Sequence, residues 1–172
     1  DTFERVARRG EHFLSAPSIT PVHLMKSAYE NYKRIWLESG HPARELEIPA
    51  LYFCHVGEDA ASTRRDSERS LLWYFQTLAR VIAESKDPTK VPEAYKFYAR
   101  AKGNLEAVTY DFLHQEVVLL GDPQRVTDRL QQFREELGLT YALCWMNFGG
   151  LADEAVRGSM RRFAEKVMPR FK

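Results

Sequence analysis

Charge of one sign is the first thing this sequence lacks. Its 172 residues carry 25 basic and 24 acidic side chains, a formal net charge of +1. Such a balance leaves no electrostatic footprint for nucleic acid or for an anionic membrane surface, and neither partner is expected. Cysteine is scarce as well. The two present, Cys54 and Cys144, each lie inside an apolar segment, which reads as a pair of reduced core thiols and implies a cytoplasmic protein. No apolar run approaches the ~20 residues of a membrane span, and no signal peptide opens the chain. The phosphate-cradling Gly-x-x-x-x-Gly-Lys, the dinucleotide Gly-x-Gly-x-x-Gly, the nucleophile elbow Gly-x-Ser-x-Gly and the zinc-binding His-Glu-x-x-His are all missing. The five histidines are scattered, and adjacent Cys54 and His55 point to opposite faces of a strand. No metal site is expected.

What is present is a folded, mixed α/β chain. A hydrophobic fraction of 44% and an aromatic fraction of 12% are those of a globular protein, and the length is one domain's worth. The last third is the most legible part. Asp122 can accept hydrogen bonds from the first free helix amides, and Pro123 is preset for the first helical position. Val126, Leu130, Phe133 and Leu137 then share one helical face, with Gly138 as a left-handed stop. Leu139 to Met146 is nearly all apolar, as expected of a strand covered on both faces of its sheet. Val156, Met160, Phe163 and Val167 give the last helix its own stripe.

Upstream, Asp1-Thr2-Phe3-Glu4 opens a helix that runs to Gly10, capped by Asp1 or Thr2. His12 to Ser15 is a short candidate strand. Thr20-Pro21 should cap a helix reaching Gly40, with Leu24, Met25, Ala28, Tyr32, Ile35 and Trp36 on its apolar face. Ile48 to Val56 is a buried strand, with Pro49 near its start, where a missing amide does least harm. A long helix from about Ala60 to Ser85 presents Leu71, Leu72, Phe75, Leu78, Ala79 and Ile82. Pro92 to His114 reads as a helical insertion, broken at Gly103-Asn104 and bearing Tyr95, Tyr98, Tyr110 and Phe112. Val117 to Leu120 is either a strand or an extended approach. Strands alternating with helices give about three β/α units. A β/α protein should supply a strand immediately before Asp1, so the chain reads as a fragment of a longer one.

The Gly121-Asp122-Pro123-x-x-Val126 helix, the Leu137-Gly138-Leu139 break into a strand, and the terminal Phe163-Ala164-x-x-Val167-Met168-Pro169 resemble the end of the bacterial-luciferase-like flavin monooxygenases. The resemblance implies the carboxyl-terminal half of a (β/α)8 TIM barrel with a helical insertion, from the helix after the fifth strand onward. It also implies reduced FMN reacting with O2 to oxidise a small organic substrate, with a flavin reductase among the suggested partners. Deazaflavin-dependent oxidoreductases share the fold and much of the terminal pattern, and are the nearest alternative. A non-catalytic half-barrel acting as an interaction piece is the alternative from another class. An isolated half-barrel is expected to self-associate or to pair with its missing half, because it leaves strand edges and apolar faces uncovered.

Candidate site residues follow from that registration. Thr2 falls where the family has a threonine that helps hold the flavin phosphate, and with the free amides of Phe3 and Glu4 it would form a small anion site. The matching serine would lie upstream of Asp1. Ser15, Ala16 and Pro17 follow the sixth strand at the catalytic mouth, where barrel enzymes carry their chemistry, and Ser15 and Pro17 are assigned to the cofactor. His55 follows the seventh strand and could move protons near neutral pH. Trp145 and Asn147 follow the eighth, where the indole could wall a flavin or substrate pocket. A helix cap, a satisfied core histidine and a core aromatic are the plainer readings of Thr2, His55 and Trp145.

Overall fold

The computed structural model describes residues 2–17, 20–81 and 105–171. Its centre is a parallel sheet of three strands in the order β2-β1-β3: β1 is Pro49–Val56, β2 Leu119–Gly121 and β3 Tyr141–Trp145. Pro49 to Phe53 pair in register with Tyr141 to Trp145, and Cys54 to Val56 with Leu119 to Gly121. The expected strand at 12–15 is reduced to one parallel bridge, Ser15 to Ala50. Ser15 donates its amide to the Pro49 carbonyl at 3.2 Å and accepts from the Leu51 amide at 2.8 Å. The Gly57 amide donates to the Gly121 carbonyl. Leu51 and Gly57 are an even number of residues apart, so their amides point to one edge of β1; Ser15 and β2 share that edge, and β3 has the other. Val117–Leu120 therefore resolves as the approach to a short strand.

One sheet face is covered by helices α1 (Thr2–Arg8), α2 (Val22–Glu38) and α5 (Pro123–Leu137). Ala50, Tyr52, Cys54 and Val56 point into that core, with Ala7, Tyr29, Trp36, Phe133 and Val167. Even-numbered residues of β1 do this because strand side chains alternate. In α5, Asp122 accepts the Arg125 amide at 2.9 Å and Gly138 takes a left-handed φ of 68°. The cap of α2 differs from expectation. Pro21 stands at the N-cap with no side-chain hydrogen bond, so Thr20 does not cap this helix. Its apolar face is also turned slightly: Tyr29 is buried and Leu24 is 58% exposed.

The opposite face carries Phe53 and is covered in part by α3 (Ala60–Val81), α4 (Tyr110–Glu116) and the loop at Phe148 and Leu151. Leu71, Phe75 and Ala79 supply the stripe of α3. The chain closes on α6 (Asp153–Arg162), a π turn at Phe163–Val167 and a short 3-10 turn at Met168–Phe171. Val156 and Val167 are buried there, but Met160 is 52% exposed. Within α6 the inward position after Val156 is Ser159, fully buried with its hydroxyl accepting the Val56 amide at 2.8 Å, so Met160 beside it turns outward.

β3 corrects the other expectation. It is not covered on both faces: Tyr141 is 63% exposed and Trp145 36%, and β3 ends the sheet with no strand on its outer edge among the described residues. The apolar run is real, but nothing described here lies against half of it. Ser85 and the break and insertion at 86–104, including Tyr95, Tyr98 and Gly103-Asn104, fall outside the described residues, as does Asp1.

Candidate functional site

Parallel strands align their carboxyl ends, and His55 and Trp145 emerge at the same end of the sheet, as expected of a β/α mouth. Trp145 pairs in register with Phe53 and stacks on it, centroids 5.0 Å apart at 18°. Tyr74 of α3 meets both rings edge-on, at 4.8 Å from Phe53 and 5.3 Å from Trp145. The indole is held in place because its Nε1–H donates to the Asn147 carbonyl at 2.7 Å. Three groups thus fix one half-exposed indole. Beside them a small cavity of about 40 Å³ is lined by Ala16, Leu51, Phe53, Tyr74, Val118 and Trp145. A ligand pocket is roughly 300–1,000 Å³, so this is one wall of a site rather than an enclosure.

The glycine-rich loop after β3 locks the wall to α3. Gly149 has φ 59°, and a Cβ there would meet the Ser70 carbonyl oxygen at 1.9 Å. At the end of β1, a Cβ on Gly57 would lie 2.2 Å from Thr63 Oγ1. Both glycines are required by the close approach of α3, which brings Tyr74 over Phe53.

The other candidates are distributed more widely. Ala16 joins Trp145 at the cavity, whereas the Ser15 hydroxyl turns to the helix side and hydrogen-bonds the Tyr29 hydroxyl. Pro17 is buried, and its carbonyl accepts the Thr20 amide at 2.7 Å. Thr2 is exposed at the start of α1, and the ring of Phe3 packs edge-on against Phe13 at 4.6 Å. That leaves the Phe3 amide, not its side chain, for a ligand. Asn147 is exposed and serves Trp145 through its backbone. His55 is fully enclosed, its Nε2 4.0 Å from Asp66 Oδ2. Burial first, opposed by Asp66 and reinforced by Arg162, pushes its pKa below the usual imidazole value.

Two members of the wall, Phe53 and Tyr74, were not read from the sequence. Phe53 shares a face with His55 by strand alternation, which was available as a signal. Tyr74 lies beside the buried stripe of α3, and only the close approach at Gly149 brings it here. The thiols share a hydrogen bond across β1 and β3. That bond, with complete burial, raises the Cys54 pKa well above the usual thiol value, and both cysteines are free. Among the described residues no cluster of three or more metal-ligating side chains forms, and no helix is long and apolar enough to cross a membrane.

A parallel sheet with helices packed on it, and an aromatic wall at its strand ends, defines a β/α protein. The chain belongs to the luciferase-like monooxygenase family, whose sequence model matches residues 1–141. Among curated proteins, none matches it by sequence. Among solved structures it is similar to the monooxygenase RslO1 from Streptomyces bottropensis (TM-score 0.66, 21% identity, 99% of this chain and 45% of that one). It is similar to the oxygenating constituent of 3,6-diketocamphane monooxygenase from Pseudomonas putida, a type II Baeyer-Villiger enzyme in complex with FMN (0.66, 18%, 98% and 45%). A third is the coenzyme F420-dependent tetrahydromethanopterin reductase of Methanopyrus kandleri (0.57, 16%, 99% and 48%). The chain therefore spans about half the length of these proteins.

Proposed function

We propose that this chain is the carboxyl-terminal part of a cytoplasmic, flavin-dependent monooxygenase built on a (β/α)8 barrel, and that the Phe53–Tyr74–Trp145 wall is its share of the flavin and substrate site. The observation that carries the proposal is that, among the described residues, half of the Phe53 face has no element packed on it. Leu51 and Leu143 are only half-buried there, and Tyr141 and Trp145 are exposed. In a barrel this face is the interior, which further strands close, and α3 and α4 reach only its Phe53 end. The Ser15 segment, β1 and β3 are three neighbouring strand positions, so the remaining five belong to a complementary portion. That portion is the main partner in this reading. An unpaired chain would self-associate through the same face.

The residues present suit a flavin in part. The half-exposed indole of Trp145, backed by Phe53, suits a flat heteroaromatic ring. The Thr2 hydroxyl and the first-turn amides of Phe3 and Glu4 suit its phosphate end, and Ser15 and Pro17 shape the turn that sets Ala16 at the wall. Reduced FMN supplies the chemistry by which O2 oxidises a small organic substrate. The work of this chain is to orient the ring and keep water from it. His55 is enclosed away from the cavity lining, so the proposal gives it no contact with substrate.

The similarity to an F420-dependent reductase favours a second reading, hydride transfer with a deazaflavin on the same wall. Aerobic turnover by the intact protein with reduced FMN, set against reduced deazaflavin, decides between them. Oxygen-dependent product with FMN alone is expected. Turnover with deazaflavin alone would transfer the assignment to the reductase reading.

A further inference from the structure

His55 is fully enclosed, and neither ring nitrogen has a hydrogen-bond partner. An apolar side chain would fill that space without stranding two polar atoms. The charged groups facing the ring come from two elements. Asp66 of α3 stands 4.0 Å from Nε2, just beyond hydrogen-bond reach. Arg162 of α6 is fixed beside it, its Nε donating to the Val56 carbonyl at 2.7 Å. Leu120, the partner on β2, and Phe53, two residues back on the same face, carry no charge. Arg65 holds the other oxygen of Asp66 at 3.0 Å, and Glu58 reaches Arg162 at 3.7 Å from a largely exposed position.

The same contact surface docks α3. Thr63 sits against Gly57 and Ser70 against Gly149, both too close for a Cβ between them. Small displacements of α3 therefore have no soft side chain to absorb them, and Tyr74 moves with the helix.

We infer that His55 is a proton-operated latch between the first half of α3 and the end of β1, closed while the enclosed ring is neutral and released on acidification, with Asp66 opposing the release. The docked form keeps His55 neutral. Burial disfavours the imidazolium, Arg162 adds to that, and Asp66 offsets only part of it. The released form regains the ordinary imidazole affinity, near pH 6.5. Docking is thus complete above about pH 6.5 and weakens below it, by at most about tenfold per pH unit for one proton. The latch stands on the enclosure of His55 and the charges that face it; its effect on ligand binding, through Tyr74, rests on the function proposed above.

Amide hydrogen exchange of the full chain between pH 8 and pH 5, corrected for intrinsic exchange, tests it without any flavin. Peptides spanning residues 52–70 should lose protection several-fold or more below about pH 6.5, while those spanning 119–137 hold theirs. His55→Gln should remove the acid response. Asp66→Asn should enlarge it, because the docked state then binds the proton still less readily. Unchanged protection of 52–70 in the wild type would overturn the latch. So would the same acid loss in His55→Gln, which would assign it to His114, the other histidine held neutral by burial. If His55→Gln does not fold, an acid loss in Asp66→Asn no larger than wild type overturns it equally. Failure here leaves the flavin reading untouched, and failure of flavin binding leaves the latch untouched.

Discussion

Gly149 and Gly150 show how one atom decides the site. Both have left-handed φ, 59° and 77°, a conformation that costs an alanine about 1 kcal/mol. At Gly150 nothing lies within 4 Å of an added Cβ, so Gly150→Ala should cost about that much. At Gly149 the Cβ would meet the Ser70 carbonyl oxygen at 1.9 Å, and backbone cannot swing aside. Gly149→Ala should therefore destabilise by about 3 kcal/mol or more, because α3 must lift from the loop. Urea denaturation of the two variants checks this; equal losses would mean that the loop and α3 yield together.

At the scale of elements, α5 is the best-specified piece and β3 the least. Asp122→Ala removes the side-chain acceptor of the Arg125 amide and should cost about 1 kcal/mol, read as a shift in denaturation midpoint at constant slope. A change within error would mean that water caps the helix as well. Cap, stripe and glycine stop were all legible in α5, because each is decided within a few residues of sequence. The parallel direction of β1 and β3 was legible from the alternation of strands with helices rather than from any short stretch, and the place of β2 beside β1 was not. Nor was coverage. Leu139–Met146 reads as doubly buried, because composition answers to everything that packs on a strand, including what lies outside these residues. The 12–15 segment reads as a strand where only one bridge at Ser15 forms, and Met160 faces outward because the inward position is taken by a polar residue, Ser159, which no apolar stripe reveals. The cap expected at Thr20 failed because Pro21 takes the N-cap position. At the site, the rule that β/α barrels carry their chemistry at strand carboxyl ends led to Trp145 and Ala16, but not to Tyr74, whose place depends on the packing of α3.

At the scale of the molecule, the described residues form a sheet with one covered face and one covered only in part. Its helix side has a continuous aromatic and aliphatic core, running from Phe3 and Phe13 through Tyr29 to Trp36. Its other side ends in a shallow aromatic wall too small to enclose a ligand. The similar solved structures are about twice as long. The most direct test is an FMN titration of residues 1–172, followed by Trp145 fluorescence and ultracentrifugation, beside the same residues joined to a five-stranded complementary portion. The account predicts saturable FMN binding only in the joined protein, and self-association without saturable binding in residues 1–172 alone. Tight FMN binding by residues 1–172 as a monomer would contradict it.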